Sequence, residues 1–138
     1  MIRDDRMKAI AVVLTAALCV ALLCGCGKTE APAASASYMQ IGQDEAASLM
    51  ESEEDYILLD VRTQEEYESG HIPGAVCIPN ESIGIEEIAA LPDKDQLILV
   101  YCRSGRRSKE AAQKLADLGY TNVKEFGGII DWTGEIIG

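Results

Sequence analysis

Residues Val100 to Ala112 read VYCRSGRRSKEAA, and this stretch holds the densest chemistry in the chain. Cys102 ends an apolar run, and four cations, Arg103, Arg106, Arg107 and Lys109, crowd the seven residues after it. A free thiol is mostly protonated at neutral pH, whereas the thiolate is the nucleophile. Nearby cations and the unpaired amides of a helix's first turn both favour the anion. Cys102 is therefore expected to be an activated nucleophile, and the same cations suit an anionic substrate. The alternative is a buried structural cysteine, against which the dense positive charge argues. Ser104 and Gly105 let the backbone curl toward a ligand without a Cβ in the way.

The surroundings make that loop unusual. The chain has 12 Lys and Arg against 23 Asp and Glu, a net charge of −11. An acidic protein that concentrates its cations on one loop is built for a small anion. A nucleic-acid binder would spread a basic face over many phosphates, so nucleic acid is not an expected partner. Anionic lipid is not attracted by this charge either.

The start of the chain is of a different kind. Arg3, Arg6 and Lys8 precede an uncharged apolar stretch of 15 residues, Ala9 to Leu23. A helix of that length reaches only ~22 Å, short of the ~30 Å hydrocarbon core of a bilayer. This is the length of a signal-peptide core. Leu23-Cys24-Gly25-Cys26 resembles the bacterial lipobox, with Cys26 as the residue that receives lipid and residues 1–25 removed. An ordinary secretory signal or an uncleaved anchor is the alternative. Residues 26–37 hold the lipidated cysteine and a small, polar, proline-interrupted tether, and residues 38–138 form one domain. The expected location is a bacterial cell membrane, facing the extracytoplasmic side through the Cys26 anchor.

Without the leader, 9 Lys and Arg face 21 Asp and Glu, and four of the nine cations lie between Arg103 and Lys109. Cys77 and Cys102 are the cysteines of the domain. They form no CxxC pair, so neither a thioredoxin-type dithiol nor a metal site is expected.

The elements that must position Cys102 follow from hydrophobic pattern. Gln43 to Met50 has helical spacing under an acidic first turn, and Tyr56 to Val61 is a continuous apolar run of strand length. His71 to Asn80 holds a turn at Pro73-Gly74 and a brief strand before Pro79. A short helix is expected from Ser82 to Leu91, and a second buried strand from Gln96 to Tyr101. Ser108 to Gly119 reads as an amphipathic helix with Ala111, Ala112, Leu115 and Leu118 inward and Gly119 as its cap. A last strand, Asn122 to Phe126, precedes a final short helix from Gly127. Strands alternating with helices imply an α/β sandwich on a mainly parallel sheet. In such a sheet the carboxyl end of a strand is where a ligand site forms, and Cys102 sits there.

Three ordered segments carry a resemblance. LLDVRTQEEYESGHIPGAVCIP (Leu58 to Pro79), LVYCRSGRRS (Leu99 to Ser108) and GGIIDW (Gly127 to Trp132) together resemble a single-domain rhodanese, over about Met39 to Ile136. The resemblance implies a central, mainly parallel five-stranded sheet flanked by helices. It also implies a sulfurtransferase, in which Cys102 takes the sulfane sulfur of thiosulfate or a similar donor and carries it as a persulfide. Cyanide or a thiol would accept that sulfur, with no metal or organic cofactor required. Carried over by position, the amides of Arg103, Ser104, Gly105, Arg106 and Arg107 would cradle the sulfur. The side chains of Arg103, Arg106 and Arg107 would hold the anionic donor. Asp60 and Arg62, at the end of a strand, are candidates for the pocket rim, although the family's Asp-Val-Arg motif is largely architectural. His71 tempts a Cys–His dyad, but its segment shapes a turn in the family. Glu66 and Trp132 read as scaffold, with Trp132 also a candidate pocket wall. Cys77 reads as a small strand residue, with a resolving cysteine as the alternative.

Two other functions compete. Phosphatases and arsenate reductases of the same fold place five residues between cysteine and arginine. Here five residues separate Cys102 from Ser108, so serine stands where that arginine belongs. A non-catalytic or persulfide-relay module of the same fold is the second. Such docking modules commonly lack the cysteine, whereas Cys102 stands here with its cationic loop intact.

Overall fold

The computed structural model describes residues 36–84 and 88–138. The expected leader 1–25, Cys26 and most of the expected tether 26–37 lie outside the described residues. Among the described residues, no helix is long and apolar enough to cross a membrane.

Five strands form one parallel sheet: β1 (Met39–Gln40), β2 (Tyr56–Asp60), β3 (Val76–Cys77), β4 (Leu97–Cys102) and β5 (Val123–Gly128). Their spatial order is β1-β5-β4-β2-β3. All four pairings are parallel. β4 lies near the middle and all six of its residues are buried, which is why it reads as an unbroken apolar run.

Alternation along β2 and β4 builds two cores, one per face of the sheet. Leu59, Val61, Ile98, Val100 and Cys102 face one side, where they meet Ala111, Ala112 and Leu115 of helix α3 (Arg106–Asp117). Leu58, Leu99 and Tyr101 face the other, with Ala46 of α1 (Gln43–Ser52) and Phe126. Tyr67 of a third helix, α2 (Gln64–Glu68), packs on that second side.

Several sequence expectations are revised. Helix α3 begins at Arg106, two residues before the expected Ser108, because Gly105 takes a left-handed conformation (φ 105°) that turns the chain directly into the helix. Leu118 caps α3 and stays 38% exposed instead of packing inward. The helix expected over Ser82 to Leu91 is not found among the described residues, where Asn80–Ser82 forms a 3₁₀ turn. Part of that stretch, 85–87, lies outside them. The C-terminal helix is a single 3₁₀ turn, Ile129–Asp131. Helix α2 was not anticipated, yet its signal is a capping box. The Thr63 hydroxyl accepts from the Glu66 amide (3.2 Å), and the Thr63 amide donates to Glu66 Oε2 (3.0 Å).

One irregularity shapes the site. Val100 pairs with Glu125 but Cys102 pairs with Gly128, so β5 holds an extra residue opposite Tyr101. This bulge lies at Gly127 (φ 97°), beside Cys102.

Candidate active site

Cys102 is the last residue of β4, and α3 starts four residues later. The intervening loop folds back so that the Gly105 amide donates to Cys102 Sγ at 3.0 Å. Gly105 is the N-cap of α3 and has no side chain to cap it, and the sulfur takes the N-cap's own amide, the donor that an N3 carboxylate takes in a capping box. The opening of α3 is therefore turned toward the Cys102 sulfur, which takes the Gly105 amide. Cys102 is only 1% exposed.

Behind the sulfur stands Ser108, fully buried in the first turn of α3. The Cys102 thiol donates to Ser108 Oγ at 3.4 Å. Ser108 Oγ in turn lies 2.6 Å from Oε1 of Glu125, a carboxylate 2% exposed. The Gly127 amide also donates to that oxygen, at 2.8 Å. The bulge in β5 leaves this amide outside the ladder, where the carboxylate takes it.

The arginines do not converge on the sulfur as three open guanidinium groups. Arg106 is 75% exposed and pairs with Glu110 one turn along α3 (2.7 Å). Arg107 grips Glu66 of α2 with both terminal nitrogens, at 2.6 and 2.9 Å. Arg103 is exposed and forms no ion pair with a described residue, while its carbonyl accepts from the Ile130 amide (3.2 Å). The Arg107 hydrogen bonds hold the Glu66 carboxyl down at about 2. In return, the hydrogen bonds that Arg107 donates to Glu66 raise Arg107, with a smaller upward contribution from the charge of Cys102.

Residues 42–135 match the family model of the Rhodanese-like domain. The chain belongs to that family. It is 40% identical over 73 residues to the thiosulfate sulfurtransferase PspE of Escherichia coli (strain K12), covering 53% of this chain and 70% of PspE. It is 38% identical over 100 residues to the putative sulfurtransferase YtwF of Bacillus subtilis (strain 168), covering 70% of this chain and 95% of YtwF. Among solved structures, a rhodanese with anions from E. coli superposes with a TM-score of 0.55 at 35% identity, covering 59% of this chain and 96% of that one. Of several longer curated relatives, the chain spans less than half the length. The parallel five-stranded α/β sheet is that of the rhodanese neighbours.

Within this rhodanese-like domain the other candidates fall into place. Asp60 and Arg62 do not reach a pocket rim. Asp60 pairs in register with Tyr101, which puts it on the face of the sheet away from Cys102. Its carboxylate holds Arg62 by a 2.7 Å ion pair, both side chains are buried, and Arg62 also donates to the Gly70 carbonyl (2.6 Å). Burial alone would lower Arg62, but the hydrogen bond and charge of Asp60 more than offset it, and its basicity rises. The pair ties the end of β2 to the turn before His71. His71 stacks on Tyr67 at 3.8 Å, and its Nδ1 lies 2.9 Å from the Tyr67 carbonyl, so it is part of that turn. Trp132 packs against Phe126 in the core opposite Cys102. Cys77 lies on β3 beside Asp60, where burial first and the charge of Asp60 second push its thiol up.

Sequence reasoning passed over Ser108 as a contact and Glu125 altogether. The signal for Glu125 was present. In Val123-Lys124-Glu125 the two-residue period of a strand places Glu125 on the same buried face as Val123. A carboxylate at a position that alternation assigns to the core is a reason to look for its partner.

Proposed function

We propose that this rhodanese-like sulfurtransferase moves a sulfane sulfur from thiosulfate or a chemically similar donor to cyanide or a thiol, through a persulfide on Cys102. The observation that supports this reading best is the Gly105 amide at 3.0 Å from Cys102 Sγ, at the opening of helix α3. The Cys102 thiolate attacks the outer sulfur of thiosulfate. A sulfur–sulfur bond forms to the protein, the bond to the sulfonate sulfur breaks, and sulfite leaves with the electron pair. The persulfide anion then lies against the loop amides of Arg103 to Arg107, in the kind of nest that backbone donors make for an anion. Cyanide or a thiolate attacks the terminal sulfur and returns Cys102 as thiolate.

Arg103 is the guanidinium left open to steer the donor, because Arg106 and Arg107 are each paired with a carboxylate. The phosphatase alternative needs a cation at the position of Ser108. That position instead holds a hydroxyl turned to the buried Glu125, and it offers a phosphoryl group no cation. Asp60 and Arg62 enter this reading as architecture.

The same proposal places the domain outside the cytoplasm of a bacterium, held to the membrane through a lipid on Cys26, on the strength of the leader and lipobox in the sequence. Radiolabelled fatty acid incorporated into the chain but not into Cys26→Ser would support the anchor, and equal labelling of both would refute it.

The function is tested by incubating the chain with thiosulfate and measuring intact mass beside Cys102→Ala. One added sulfur, absent from the variant and removed by cyanide, is the expected result. Absence of the added sulfur together with turnover of a phosphate or arsenate ester would replace this reading with the phosphatase one.

A further inference from the structure

Cys102, Ser108 and Glu125 form a continuous hydrogen-bonded line with exposures of 1%, 0% and 2%. Ser108 has one hydroxyl proton and three oxygen acceptors around it. Glu125 Oε1 is nearest at 2.6 Å, against 3.0 Å for the Gly105 carbonyl and 3.3 Å for that of Gly127. With its proton directed to Glu125, Ser108 turns a lone pair toward Cys102 and accepts from the thiol at 3.4 Å. In this state the line favours S–H over the thiolate, since no hydroxyl proton is left for the sulfur.

Resting on the sulfurtransferase reading above, we infer that Glu125 is a positioning residue that stores the Cys102 proton, acting through Ser108, so that thiol and carboxyl share one negative charge. When the thiolate forms, the S–H bond breaks and its proton bonds to Ser108 Oγ. The original Ser108 proton passes to Glu125, which becomes a carboxylic acid. The new Ser108 hydroxyl then donates to the sulfur. Nothing is oxidised or reduced, the net charge is unchanged, and every member keeps a partner in both states. The arrangement matters because the three groups are buried, so the proton moves within the site while the sulfur is an anion. It is returned after the acceptor has taken the sulfur.

The charged groups around the line are accounted for. From α3, Arg106 is paired with Glu110, Arg107 is paired with Glu66 of α2, and Lys109 is exposed. Arg107 feels the charge of Cys102, and Glu81 acts on the same guanidinium. In register beside Glu125 stand Val100 of β4 and Gln40 of β1, both uncharged. Asp60 and Arg62 are on the opposite face of the sheet.

The test follows the thiolate's ultraviolet absorbance against pH. It is read as the difference between the chain and its Cys102→Ala counterpart, which cancels the other cysteines and the tyrosines. The sulfur and the Glu125 oxygen lie within roughly 6 Å, close enough for two charges to displace the equilibrium about tenfold or more. Glu125→Gln keeps the shape and removes the charge. At the pH where about one wild-type site in ten is thiolate, about half or more of the Glu125→Gln sites should be. Ser108→Ala removes the hydroxyl that serves the anion and should move the curve the other way. A side chain that only supports the fold would change the melting temperature and leave both curves where they were. Coincident curves, or two shifts in the same direction, overturn the inference.

A second measurement needs no variant to fold. The infrared spectrum of the wild type should keep a carboxylic-acid band at pH values where thiolate is already present, and lack of that band overturns the relay. Neither readout uses a sulfur donor. Opposed shifts in a chain that gains no sulfur from thiosulfate would therefore refute the proposed substrate and leave the relay standing. Sulfur gain with coincident curves would do the reverse.

Discussion

Glu66→Gln removes a charge while keeping nearly the same shape, and it acts on two contacts at once. Glu66 closes the capping box of α2 through the Thr63 amide and binds Arg107 on α3 with both carboxylate oxygens. Its carboxyl is held at about 2 against an ordinary 4.5, mainly by the Arg107 hydrogen bonds. That difference corresponds to roughly 3 kcal/mol of preference for the ionised form. The side chain keeps 28% of its exposure, and screening by solvent brings the expected contribution to about 1–2 kcal/mol. For a domain of this size that is a drop in Tm of about 5–10 °C at pH 7. Because the folded-state value lies below the unfolded one, the contribution is complete above pH 4.5 and is lost as pH falls toward 2. Melting curves of wild type and Glu66→Gln should therefore be well separated at pH 7, converge below pH 4.5 and nearly meet at pH 2. A separation that stays constant across that range would refute the assignment of the stability to the ionised pair.

The remaining expectations are shorter. Cys77→Ala should gain sulfur from thiosulfate as the wild type does, since the Cys77 thiol is kept protonated by burial; loss of the mass gain would make it a participant. Gly105→Ala forces a side chain into φ 105° and sets its Cβ 3.6 Å from Gly127, so it should cost about 1–3 kcal/mol and slow sulfur loading, read by thermal melting and by the time course of the mass gain. Asp60→Ala leaves Arg62 buried without its partner and should cost about 3–5 kcal/mol. Circular dichroism should show a largely unfolded or strongly destabilised chain, whereas a well-folded, inactive one would mean that Asp60 meets the substrate.

The main elements were legible where one physical signal dominated. β4 is buried on both faces and so appears as a continuous apolar run, β2 is apolar up to Asp60, and α3 shows its stripe at Ala111, Ala112 and Leu115. Boundaries were less legible, because they depend on backbone turns. The start of α3 is decided by the left-handed Gly105, two residues before the Ser108 at which the apolar stripe suggested it. The segment after Gly128 has an apolar pattern suited to a helix, yet the Ile130 amide is drawn to the Arg103 carbonyl and the chain leaves after one turn. In the site, Cys102 and its loop could be read from local sequence. Glu125 could not be joined to them, since it is 23 residues away and depends on a bulge that no short-range pattern announces.

The charge around Cys102 takes on a different meaning once its partners are known. Counted along the sequence, Arg103 to Lys109 is a patch of four cations, but two of the arginines are neutralised by Glu110 and Glu66, and the buried Glu125 adds a negative charge behind the sulfur. Side-chain charge is thus a weak source of positive potential at the Cys102 sulfur. The backbone supplies more: the Gly105 amide at 3.0 Å and the open first turn of α3 are fixed dipoles that would need no reorganisation on formation of a sulfur anion. Their value depends on orientation, and orientation is what the Arg107–Glu66 pair controls, because it fastens the first turn of α3 to α2. On the proposed reading, Arg107 then serves the anion chiefly by holding amides in place, with its own charge a smaller contribution.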